Sequence, residues 1–273
     1  MTMPVHATTG QRAWRITFLL ICFLGFLFLV GPIVAIIPIA FSAGSHLNYP
    51  LPGLSLRWFE EIFIPYPWML ALKNSLIVAS VTTVLATALG TLAAYGLNSA
   101  EFRLKPLVVG LLLSPMMVPL VITALAVYFF FARVGLIGTF TGLILAHTVL
   151  AVPFVVITVS ATLQGFDRNM VRAAASLGAR PLTAFFGVTL PLIMPGVVSG
   201  AIFAFVTSFD EIVVALFIAS PAQFTLPRQL FSGLRDHLDP SIVAIATLLI
   251  VVSVLLMAVV EGLRARSERI RGD

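Results

Sequence analysis

Six stretches of this chain run on for the length of a bilayer crossing with almost no charge, and few folds accept such a pattern. A helix needs about 20 mostly apolar residues to cross the ~30 Å hydrocarbon layer, so six transmembrane helices are predicted. Their expected bounds are 16–41, 74–98, 107–131, 136–162, 196–219 and 241–262. Strands of a membrane barrel would alternate apolar and polar side chains, whereas Pro106 to Phe131 is apolar on every face. Composition agrees: 10% of the residues are charged, against roughly 25% in an average soluble domain. The expected fold is all-α, a polytopic membrane protein whose residues 1–273 form one transmembrane domain with no separate soluble part.

Orientation follows from the 16 Lys and Arg residues, which concentrate in cytoplasmic loops. An N-terminus on the inside places Arg12, Arg15, Arg103, Lys105, Arg168, Arg172, Arg180 and the C-terminal Arg264, Arg266, Arg269 and Arg271 in the cytoplasm. Only Arg57, Lys73, Arg133, Arg228 and Arg235 then remain outside, so both termini are expected to be cytoplasmic. The net charge of +5 records this topology, because no basic stripe interleaved with aromatics offers a nucleic-acid surface. The first apolar run, Ile16 to Phe41, is too long for the 7 to 15 residues of a signal-peptide core. Cys22 is the only cysteine, which rules out an intramolecular disulfide.

The connecting segments differ in length. Residues 42–73 form a long external segment rich in Pro and aromatics, including Tyr49, Trp58, Tyr66 and Trp68, which suit the membrane interface. A second external loop, 220–240, ends in the polar run Arg235, Asp236, His237, Leu238, Asp239. Within the helices, small residues recur four apart: Ala86, Gly90 and Ala94 in the second, Gly138 and Gly142 in the fourth, Gly196 and Gly200 in the fifth. That spacing lets backbones approach closely in lipid.

The cytoplasmic segment 163–195 is polar and punctured by glycine. Asp167 can cap a helix running to about Leu177, Gly178 suits the left-handed residue that stops it, and Pro181 suits the first turn of another. Eleven residues of helix span only about 16 Å, too little to cross a bilayer, so this helix is expected along the membrane face. Met170, Ala174 and Leu177 share one side of it, while Arg168 and Arg172 share another and repel unless something acidic faces them.

Ala173, Ala174, Gly178, Val188, Leu190 and Pro191 match the spacing EAA, three residues, G, nine residues, I, one residue, LP. The chain thereby resembles the permease subunits of binding-protein-dependent ABC importers. The likeness extends from about Lys73 to Ile250. Asn74-Ser75, Ser208-Phe209-Asp210-Glu211, Thr225-Leu226-Pro227 and Asp239-Pro240 are similar to the second permease of the spermidine/putrescine group. The resemblance implies a coupling helix seated in a cleft of a cytoplasmic ATPase, with Asp167, Arg168, Arg172, Ala173, Ala174, Gly178, Leu190 and Pro191 as its coupling residues. It also implies a second permease in a heterodimer, two ATPase subunits, an extracytoplasmic solute-binding protein and a place in a bacterial inner membrane. Arg172 stands where the family carries glutamate, and an acidic group on a matching ATPase is expected to face it.

Asp210 and Glu211 interrupt the fifth apolar stretch near its middle, where a carboxylate costs about 2.5–3.5 kcal/mol unless a pore, partner or cation compensates. They are the candidate substrate-path residues, with Asp210 expected on the path and Glu211 paired across an interface. His147 is expected to be a polar side chain satisfied by a neighbouring helix. No catalytic residue, metal site or cofactor is expected: a GxxxxGK[ST] phosphate loop is absent, and His6, His46, His147 and His237 lack ligand spacing. The expected function is a non-catalytic permease passing a small organic solute, a polyamine or else an amino-acid derivative or opine. An ion-coupled secondary transporter or channel is the competing class.

Overall fold

The computed structural model describes residues 9–271 apart from 64, 237 and 239. His6, His237 and Asp239 lie outside the described residues, and Arg12 and the four C-terminal arginines are described in backbone alone. Among the described residues no strand forms. In chain order the helices are α1 (Thr9–Ile36), α2 (Arg57–Phe63), α3 (Leu70–Ser99), α4 (Lys105–Met117), α5 (Leu120–Val134) and α6 (Phe140–Gln164). They are followed by α7 (Asn169–Ser176), α8 (Pro181–Ala184), α9 (Leu190–Phe209), α10 (Val213–Ile218), α11 (Leu226–Asp236) and α12 (Pro240–Arg271). The chain divides into two compact units, Tyr66–Ser232 and the remainder on either side of it.

In the unit built from the chain's two ends, the predicted interfacial segment folds on itself. Trp58 is buried, and its indole N–H donates to the carbonyls of Ser42 (2.9 Å) and Gly44 (3.2 Å). The Arg57 guanidinium lies 4.1 Å from the centre of the Trp58 ring, and the Tyr49 hydroxyl donates to the Ala35 carbonyl at 2.6 Å. The aromatics expected to mark the interface therefore also hold the loop's shape.

The Tyr66–Ser232 unit is organised around α3, α6 and α9. Ala86, Ala94, Ala151, Val155, Ile193 and Ala204 form its buried centre. The expected small-residue spacing explains the close approach. A Cβ on Gly90 would lie 2.6 Å from Val155 Cβ, and one on Gly196 would lie 2.1 Å from Thr162 Oγ1. Gly138 departs from the expectation: it sits before α6 in a turn with φ +69°, and only Gly142 is helical.

Among the described residues four helical segments are individually long and apolar enough to cross a membrane: Ala13–Phe41, Pro67–Ser99, Phe140–Gln164 and Pro181–Phe209. The third expected span, 107–131, is two helices: α4 and α5 meet at 104°. Pro119 has no N–H to continue the helix and drives Val118 to an extended conformation (φ −79°, ψ 135°), so the apolar run breaks there. Taken as one span the bent pair makes a fifth, and the apolar part of α12, Pro240–Leu255, is a shorter helix. The fifth expected span, 196–219, is displaced: the helix begins upstream, reaches Phe209 and stops, and α10 starts afresh at Val213.

Candidate coupling segment and membrane-depth cavity

The segment expected to couple is a short exposed helix held by its ends. Asp167 Oδ1 accepts from the Asn169 amide at 2.9 Å in a turn just ahead of the helix, whose N-cap is Arg168 without a side-chain cap, so the helix begins later than predicted and Asp167 is not its N-cap. At the other end Gly178 takes φ +86°, a conformation that costs a side chain about 1–2 kcal/mol. Its amide donates to Ala175 and that of Ala179 to Ala174, which satisfies the last carbonyls. With eight residues, α7 is about 12 Å long and buries no side chain; Ala173 and Leu177 are exposed. Arg168 and Arg172 do not simply oppose each other: Arg168 donates to the Asn98 carbonyl at the end of α3, and Arg172 donates to Asn169 Oδ1 at 3.4 Å.

Pro181 opens α8 as expected, and a π-helical turn, Phe185–Thr189, carries the chain into α9, which begins at Leu190 and Pro191. Phe185 is buried with its ring 4.9 Å from that of Tyr95 on α3. The coupling segment is thus fastened to α3 twice, by Arg168 and by this ring pair, and is continuous with α9.

A cavity of about 550 Å³ lies where the two broken spans face each other. Val118 and Leu120 line it from the α4–α5 break, Asp210, Glu211 and Ile212 from the α9–α10 break, and Phe154 from α6. Asp210 and Glu211 are therefore not in mid-helix, as the apolar run suggested, but in a gap between two helices. Asp210 ends α9, its amide donating to Val206 at 3.0 Å, and its carboxylate is exposed with no partner among the described residues.

Glu211 is 6% exposed. Its Oε1 accepts from the Val214 amide at 2.8 Å and its Oε2 from the Ala215 amide at 3.1 Å, both in the first turn of α10. His147 on α6 approaches the same carboxylate, Nε2 to Oε2 at 3.4 Å, while its Nδ1 lies 2.9 Å from Ser208 Oγ. His147 has the expected neighbouring-helix partner in Ser208; its contact with Glu211 is a relation that sequence reading missed. The available signal was that ionisable side chains at membrane depth pair with one another.

A second relation was also missed. Asn74 and Ser75 hold the loop before α11: Asn74 Nδ2 donates to the carbonyls of Ala222 (3.1 Å) and Phe224 (3.0 Å), and Ser75 Oγ accepts from the Leu226 amide at 2.7 Å. Two motifs far apart in the sequence are one clamp. Among the described residues no group of His, Cys, Asp or Glu is placed to hold a metal ion.

Residues 86–269 match the family of binding-protein-dependent transport system inner membrane components. The chain belongs to this family. It is 35% identical over 268 residues to the putrescine transport system permease protein PotI of Escherichia coli (strain K12), covering 96% of this chain and 94% of that protein. It is 33% identical over 241 residues to the spermidine/putrescine transport system permease protein PotC of the same strain, covering 88% and 90%. The fold is also that of a chain from the crystal structure of a bacterial ABC transporter involved in the import of the acidic polysaccharide alginate. There the TM-score is 0.77 at 15% identity over 95% of this chain and 99% of that one. The resemblance read from residues 172–191 and their neighbours is borne out: the permease is a multi-pass inner-membrane component of an importer.

Proposed function

We propose that this permease carries a polyamine of the putrescine and spermidine class through the cavity at Asp210, driven by ATPase subunits that dock on α7. The observation that carries the reading is the unpartnered Asp210 carboxylate on a largely apolar cavity between the two broken spans, where the other lining carboxylate, Glu211, is already taken up by backbone amides. A polyamine is an aliphatic chain with ammonium groups at intervals. Apolar walls suit its methylenes and a lone carboxylate suits an ammonium, which also compensates the cost of the carboxylate in that setting. The names of the relatives PotI and PotC support the same class of cargo.

In this reading the chain hydrolyses nothing. It pairs with a second permease, receives cargo from an extracytoplasmic binding protein and sits on two cytoplasmic ATPases, with both of its own termini in the cytoplasm. Asp167, Arg168, Arg172, Ala173, Ala174 and Gly178 present the docking helix, and Leu190 and Pro191 carry its displacement into α9. Rigid-body movement of the helices then opens the cavity to one side or the other. The test is reconstitution with the candidate partners in liposomes, reading ATP-dependent uptake of labelled spermidine and putrescine against an ATPase-dead control. Uptake that vanishes in the control supports importer and cargo together. ATP hydrolysis stimulated by the binding protein without polyamine uptake overturns the cargo.

A further inference from the structure

The two neighbouring carboxylates at the break between α9 and α10 differ in every respect but charge. Asp210 is exposed and free of side-chain partners among the described residues, whereas Glu211 is met by three groups from two elements, α10 and α6. Its oxygens take the amide hydrogens of Val214 and Ala215, which the six-residue α10 cannot satisfy internally. A carboxylate only accepts, so a proton on His147 Nε2 would face Glu211 and leave Nδ1 to accept from the Ser208 hydroxyl, although Nε2 makes no hydrogen bond as it stands. At 3.4 Å the Nε2 contact is a close approach of two almost fully buried side chains and not a hydrogen bond. One imidazole from α6 therefore touches both the last turn of α9, through Ser208, and the carboxylate that starts α10.

We propose that Glu211 is a positioning residue: held by the two α10 amides beside His147, it fixes the gap in the span so that, although both carboxylates line the cavity, Asp210 is the one left uncommitted for the cargo. This deepens the reading above and rests on it, since Asp210 is there the group that meets the ammonium. The lock gives the two carboxylates separate tasks. Glu211 is consumed by the backbone amides and leaves Asp210 with its charge uncommitted.

The test uses the reconstituted importer and labelled putrescine. His147→Gln keeps an amide N–H for Glu211 and a carbonyl for Ser208, whereas His147→Leu keeps the bulk and loses both. The expected result is a KM within about twofold of the parent for His147→Gln and raised about tenfold for His147→Leu, the rise disappearing when Asp210→Asn is also present. Equal behaviour of the two His147 variants, or a rise that persists undiminished with Asp210→Asn, overturns the lock. Should His147→Leu fail to assemble, Cys22→Ala with Asp210→Cys gives one thiol, whose reaction with a cationic, water-soluble methanethiosulfonate is timed with and without Glu211→Gln. A rate altered about fivefold or more supports positioning and an unchanged rate overturns it. An unchanged KM in Asp210→Asn alone overturns the cargo contact and leaves the lock to be judged by the labelling rates.

Discussion

Asp210 and Glu211 show how the end of a helix sorts like residues into unlike environments. The sequence makes the pair conspicuous because carboxylates are rare in apolar runs, but no Gly or Pro stands at 209–212 to mark the helix end, so the gap itself is not legible. The break is flanked by one tertiary contact, Ser208 with His147, and one local one, Glu211 with the amides of Val214 and Ala215 at the start of α10. Asp210→Asn keeps shape and removes charge. Polyamine uptake by the assembled mutant is expected to fall at least about tenfold, equivalent to ~1.4 kcal/mol, in a filter-binding uptake assay; full uptake would exclude the contact. Asn74 bears a different load. Asn74→Leu leaves the Ala222 and Phe224 carbonyls without their donor, at a cost of about 1–3 kcal/mol, which thermal unfolding in detergent should register as a lowered midpoint.

For the helices, legibility depended on what ended each apolar run. α6 lies close to its expected bounds because Gly138 and Thr139 precede it and Gly165 follows it. The α4–α5 break was hidden inside continuous apolarity, although Pro115 and Pro119 were its signal: hydropathy measures greasiness and ignores a missing N–H. Small-residue spacing was the more faithful guide, since Gly90, Gly196 and Gly200 lie where α3, α6 and α9 touch. Two glycines give a paired prediction. Gly196→Val forces methyl groups against Thr162 and is expected to cost about 1–3 kcal/mol. Gly110→Ala in α4, where nothing lies within 4 Å, is expected to stabilise by about 0.5–1 kcal/mol. Melting curves of the two variants should move in opposite directions.

At the scale of the molecule, the motif spanning Ala173 to Pro191 was fully readable, because a stop glycine, a helix-opening proline and a charged face each have a local physical signature. Its attachment to α3 through Arg168 and Phe185 was not, because such contacts join residues whose spacing carries no pattern. Arg172 is exposed on α7, and its guanidinium donates to Asn169 Oδ1 at 3.4 Å; in the proposed reading an acidic group of the ATPase faces it. Arg172→Glu is expected to abolish co-purification of the cognate ATPase while leaving the permease's own melting temperature unchanged; retained ATPase would refute the pairing. The clamp of Asn74 on the loop before α11 also bears on how the protein is made. Its donor and acceptors are 148 and 150 residues apart. As the ribosome feeds the chain into the membrane, the amide of Asn74 therefore waits unanswered through most of synthesis. A nascent polypeptide truncated before Ala222 never acquires either acceptor, so this clamp closes only once translation has passed Phe224.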